Sequence, residues 1–109
     1  MPDAAVLIYA TCPSVADAER IGGRLVEGGL AACVNILPGM TAIYAWEGKL
    51  NRDSEAVLII KTVARLAERV IAETKALHPY TNPALVMLPV IGGSADFLAW
   101  IADQTRQAH

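Results

Sequence analysis

Few residues in this chain could do chemistry: two cysteines, one histidine inside the chain, and one lysine in an otherwise apolar run. Cys12 lies in Thr11-Cys12-Pro13, after an apolar run and just before a helix start at Ser14. A thiol in such a loop could be exposed and ionised by the helix N-terminus, or could serve only as a small apolar residue. Cys33, between Ala32 and Val34, reads as a buried strand residue. His78 stands between a helix end and Pro79, which fixes its orientation; it reads either as a transition-metal ligand or as a helix C-terminal cap. His109 is terminal and expected to be mobile. Lys61 either emerges at a solvated strand end or lines a site for an anion or carboxylate.

Tyr44, Trp46 and Tyr80 carry polar tips on large apolar bodies, which fits the rim of a pocket or a subunit interface. Tyr44 and Trp46 are two apart, so in a strand both point to one face. The chain has no Gly-rich phosphate loop, no nucleophile elbow, no HExxH and no acid pair set apart from the surface charge. An enzyme is therefore not expected.

These residues must be positioned by a short series of elements. Ala4 to Ala10 reads as a strand buried on both faces, closed by Pro13. Ser14 with Asp17 resembles a capping box, and Val15, Ala18, Ile21, Leu25 and Val26 follow at helical spacing until Gly28-Gly29. The organising stretch is Ala31 to Leu50, the longest strand signal, divided by a bend at Pro38-Gly39. Its two halves, Ala31 to Leu37 and Met40 to Trp46, are expected to serve different sheets, the first in the subunit's own core and the second in an assembly. Glu47-Gly48 begins a turn, Asn51 to Ser54 reads as a polar loop, and Glu55 to Thr62 as the returning antiparallel strand. Leu66, Val70, Ile71, Thr74 and Leu77 mark a second amphipathic helix, stopped at His78-Pro79. Ala84 to Ile91 is a last strand, whose Pro89 suits an edge or an end. Ser94 then caps a short helix with Phe97, Leu98 and Ile101 inward.

Strand, helix, strand, strand, helix, strand is the split βαβ pattern of the ferredoxin-like α+β sandwich, here with an extended hairpin and a short C-terminal helix. Both main helices would lie on one sheet face. The chain has 109 residues, 54% of them apolar but only 6% aromatic, which predicts one domain (1–109) with an aliphatic core. Charged residues are only 18%, leaving apolar surface that another subunit would cover. A net charge of -2 with scattered basic residues argues against nucleic acid. No apolar run suggests a membrane span and no signal peptide is visible, so a cytoplasmic protein with free thiols is expected.

The words ACVNILPG, Tyr44 and Trp46 with EGK, LIIKT, HPY, a proline-bearing strand and FLAW together resemble the CutA family of divalent-cation tolerance proteins, from about Val6 to Ile101. The resemblance implies a tight homotrimer similar in build to the PII signalling proteins, with no obligatory cofactor. It also implies copper ligation by a first-strand cysteine and a histidine pair before the Pro-Tyr, where this chain holds Ala10, Leu77 and His78. Cys12, two positions beyond Ala10, would lie on the same strand face about 6 to 7 Å further along. The family's acids after the HPY word are replaced by Thr81 and Ala84. One imidazole and a thiolate, His78 and Cys12, would suit copper(I) or zinc.

The function expected is metal tolerance, with weak copper or zinc binding in a cleft between subunits lined by Cys12, Trp46, Lys61, His78 and Tyr80. The alternatives are a PII-like regulator binding an anionic small molecule at Lys61 or a protein partner of unknown identity, and a purely structural trimeric scaffold.

Overall fold

The computed structural model describes residues 3–108, so His109 lies outside the described residues. The elements are β1 (Ala5–Cys12), α1 (Val15–Glu27), β2 (Cys33–Trp46), β3 (Lys49–Val63), a 3-10 turn (Ala64–Leu66), α2 (Ala67–Leu77), β4 (Leu85–Pro89) and α3 (Ala95–Gln104). The strands form one sheet in the order β2-β3-β1-β4, and every neighbouring pair is antiparallel. β4 is an edge strand and ends on Pro89, where a missing backbone donor costs nothing.

Alternation along β1 and β3 builds the core. Ile8, Ala10, Leu58, Ile60 and Thr62 are fully buried, together with Ile21 and Leu25 of α1 and Val70 of α2. α1 can approach the sheet closely because Gly22 faces Val34, where a Cβ would sit 2.7 Å from the Val34 Cγ2. Ser14 caps α1 as expected, accepting from the Asp17 N–H at 3.1 Å and donating to the Asp17 carboxylate at 2.9 Å. The C-terminal end of α3 is held by Arg65, which donates to the Thr105 and Ala108 carbonyls at 2.9 and 3.2 Å.

Three expectations change. The segment Asn51–Ser54 is not a loop but ladder: Tyr44 pairs with Asn51, Ala42 with Asp53 and Thr41 with Ser54. The whole reversal is made by Glu47 and Gly48, both at positive φ (51° and 77°), a two-residue hairpin turn that forces the following polar residues into register. The bend at Pro38-Gly39 is present as a register shift between Leu37 and Met40, but both halves of β2 stay on β3. Third, Phe97 is not inward. It stacks on Trp100 at 5.6 Å and lies under the Lys61 ammonium, 5.2 Å from the ring centroid, while Ile101 alone on α3 is fully buried.

β1 ends at Cys12 opposite Ala56, so β3 from Lys49 to Glu55 has β2 on one side and no β1 neighbour on the other. This arm of the hairpin projects roughly 23 Å beyond the sheet at the usual strand rise. It gives the molecule its long axis, 44 Å against 25 and 21 Å.

Candidate functional site

Where β1 stops, two segments pass its end. The projecting hairpin contributes Tyr44, Trp46 and Glu55 from one side, and the α2–β4 connection contributes Pro79, Tyr80, Thr81 and Asn82 from the other. With Thr11 at the base they enclose an open cleft of about 630 Å³. Tyr44 and Trp46 share a strand face, and Asp53 and Glu55 share the facing side of β3. The Tyr44 hydroxyl donates to the Asp53 carboxylate, and that bond above all pushes the hydroxyl up to about 12. The Tyr80 hydroxyl is raised too, first by desolvation and then by the negative charges of Glu55 and Asp53. Among the described lining residues there is a carboxylate, Glu55, and no Lys, Arg, His or Cys.

His78 has a different job from the one its position suggested. Its ring is buried, with Nε2 2.8 Å from the Thr11 carbonyl oxygen, and Nδ1 accepts from the Tyr80 N–H at 3.0 Å. Those partners fix the neutral Nε2–H tautomer, since the carbonyl can only accept and the amide can only donate. Both nitrogens are used, and no lone pair remains for a metal. The imidazole therefore ties the α2–β4 connection to the end of β1 and sets Tyr80, whose ring lies 5.1 Å away, on the cleft wall.

Cys12 does not lie in an accessible loop either. It is the last residue of β1, fully buried, paired with Ala56. Burial foremost, with Asp17 and Glu55 adding and Arg20 opposing, pushes its thiol up to about 11, the reverse of an activated thiolate. The donors expected for copper or zinc, His78 and Cys12, thus do not fit such an ion in this arrangement. Among the described residues, no group of three or more His, Cys, Asp or Glu side chains is placed to hold one.

Of the remaining expected residues, Trp46 and Tyr80 line the cleft and Lys61 does not. Lys61 is six positions along β3 from Glu55, about 20 Å at the strand rise, and rests over Phe97. Sequence reasoning missed Glu55, Thr11 and Asn82 as cleft residues. For Glu55 a signal existed, an acid opening an otherwise apolar strand. Cys33, read as buried, is half-buried.

Fold and cleft together define an α+β protein with a four-stranded antiparallel sheet and an open cleft beside a projecting hairpin. The chain belongs to the CutA family: the family profile described as "CutA1 divalent ion tolerance protein" matches residues 6–104. It is 42% identical over 99 residues to the "Divalent-cation tolerance protein CutA" of Thermus thermophilus, covering 91% of this chain and 96% of that one. It is 39% identical over 103 residues to the rice "Protein CutA 1, chloroplastic", covering 94% of this chain. The chain spans 58% of that rice protein and 56% of a chloroplastic relative from Arabidopsis thaliana. Among solved structures, the "Periplasmic divalent cation tolerance protein CutA" of Archaeoglobus fulgidus superposes with a TM-score of 0.89 at 42% identity, over 93% of this chain and 98% of that one. Among the described residues no helix is long and apolar enough to cross a membrane.

Proposed function

We propose that the chain acts without catalysis, as a homotrimer whose cleft at the end of β1 weakly holds divalent cations, in a reducing, cytoplasmic setting. The relatives' names, divalent-cation tolerance proteins, supply the class of ligand. The observation that carries the reading to this cleft is Glu55, a carboxylate on its wall with Asp53 two positions along the same strand face. We assign the cation's contact to these oxygens, in place of copper or zinc on Cys12 and His78. So few oxygen ligands hold an ion weakly. The trimer is supported by apolar side chains that a single chain leaves in water on the face of the arm opposite the cleft: Ile43 is 64% exposed and Leu50 79%. Two unpaired thiols, Cys12 and Cys33, support a reducing compartment, although relatives bear both periplasmic and chloroplastic names. An anionic ligand is disfavoured, because Lys61 stands away from a cleft whose fixed charge is negative.

Sedimentation equilibrium at micromolar concentration should give three times the 11.6 kDa of the chain. Calorimetric titration with Cu(II) and Zn(II) should weaken about fivefold or more in Glu55→Gln and stay unchanged in Cys12→Ala. A monomer overturns the assembly. Unchanged binding in Glu55→Gln, or its loss in Cys12→Ala, overturns the site.

A further inference from the structure

A bare or hydrated metal ion makes no use of most of this cleft. Its volume of about 630 Å³ is that of a small-molecule site, and three of its walls are aromatic: Tyr44, Trp46 and Tyr80. Trp46 and Tyr44 are 64% and 42% exposed and Tyr80 47%, so large ring areas are presented and not consumed by packing within the chain. Each ring is held by a separate device. The hairpin register sets Tyr44 and Trp46 on one face, the Asp53 bond fixes the Tyr44 hydroxyl, and His78 holds the Tyr80 backbone.

Charge narrows the ligand further. The ring faces carry negative quadrupole, Glu55 adds a full negative charge, and no described lining residue is cationic. The Tyr44 hydroxyl donates to a carboxylate, which leaves its ring more electron-rich. Among the described lining side chains an anion meets a carboxylate and no cation, and a neutral apolar molecule would leave Glu55 facing it uncompensated. Aromatic faces combined with a carboxylate are the surroundings that favour a cation too large and too weakly hydrated to need oxygen ligands.

We propose that the cleft receives an organic ammonium ion, its charged head against Trp46, Tyr44 and Tyr80 with Glu55 as counter-ion, in competition with divalent cations for that carboxylate. The inference rests on the reading of this cleft as the binding site and names a second ligand class for it. Competition follows because one carboxylate cannot neutralise both cations at once. Tolerance to a divalent ion and occupancy by an amine are then linked, each lowering the apparent affinity of the other.

The test uses choline and its neutral isostere 3,3-dimethylbutan-1-ol, which differ in a charged nitrogen against a carbon. In proton NMR with the full-length protein, the choline N-methyl signal should move upfield as it meets ring faces. Choline should bind about tenfold tighter than the isostere. Trp46→Leu, at an exposed ring, and Glu55→Gln, an isosteric change at a half-buried carboxylate, should each lose about fivefold or more, with unfolding curves unchanged. Added Zn(II) should displace choline from wild type. Equal binding of choline and isostere makes the cleft an apolar slot and overturns the proposal, as does no choline shift at ~10 mM. If choline fails while Glu55→Gln still weakens metal binding, the ammonium site falls and the cation cleft stands. If both fail, the cleft reading falls with it.

Discussion

The β2–β3 hairpin is one ladder with two different fates. In its inner half, Leu58 and Ile60 are wholly buried under α1; in its outer half, Ile43 and Leu50 are 64% and 79% exposed. Backbone pairing runs from Cys33 opposite Lys61 to Trp46 opposite Lys49, interrupted at the register shift between Leu37 and Met40. Hydrogen bonds therefore make the strand in both halves, and only the second layer of helices makes a core in one of them. What the outer half lacks in packing it offers as surface, and the cleft sits where the one condition passes into the other.

Substitution of paired residues should separate the halves most strongly. Leu58→Ala removes a fully buried side chain and is expected to lower the unfolding free energy by about 3 kcal/mol at every protein concentration. Leu50→Asp, on the same strand, should leave unfolding of the dilute chain within about 0.5 kcal/mol and act only where chains associate. Denaturant curves over a range of concentrations decide it. Equal losses from both in dilute solution would erase the contrast.

The same contrast explains what the sequence allowed one to read. The inner half was legible because burial imposes a pattern: Ala56 to Thr62 is an apolar strand by composition alone, and the capped helix from Ser14 declares itself. The outer half was legible only in β2. Asn51 to Ser54 carries turn-forming residues, and nothing buried contradicts the loop reading; the ladder there is imposed from outside, by the turn at Glu47-Gly48 and the partner strand. The site suffered similarly. Trp46 and Tyr80 stood out by residue type, whereas Glu55 and Lys61 sit on one strand and only the end of β1 tells which of them borders the cleft. His78 was read as a metal ligand or a helix cap, whereas its role depends on two backbone partners, one of them 67 residues away in sequence.

His78 supplies the next largest effect, at the junction of the two regions. His78→Ala leaves the Thr11 carbonyl and the Tyr80 amide without their partner and is expected to cost about 2 kcal/mol. A structural tie predicts more than lost stability: the Tyr80 amide should exchange its hydrogen faster while α1 and the inner strands keep their protection. Uniform protection loss would place His78 in the core and not at the hinge between core and cleft.

The smallest effect is invisible near neutral pH and contrasts the two regions by cause. Cys12 in the core and Tyr44 on the arm are both raised, the thiol to about 11 chiefly by burial and the phenol to about 12 chiefly by its bond to Asp53. A raised acid keeps its proton in the folded state after the unfolded state has lost its own, so stability falls as pH rises through that interval. For Cys12 the interval runs from its ordinary 9.0 to about 11, and the groups facing it are Asp17, Arg20 and Glu55. For Tyr44 it runs from 10.0 to about 12. Cys12→Ala should therefore remove the part of the alkaline slope that begins near pH 9, and Tyr44→Phe only a part that begins higher. Salt distinguishes the causes. Desolvation of a buried thiol is indifferent to ionic strength, whereas the repulsion between a phenolate at Tyr44 and the exposed Asp53 carboxylate is screened, so high salt should diminish that part of the Tyr44 component and leave the burial component of Cys12.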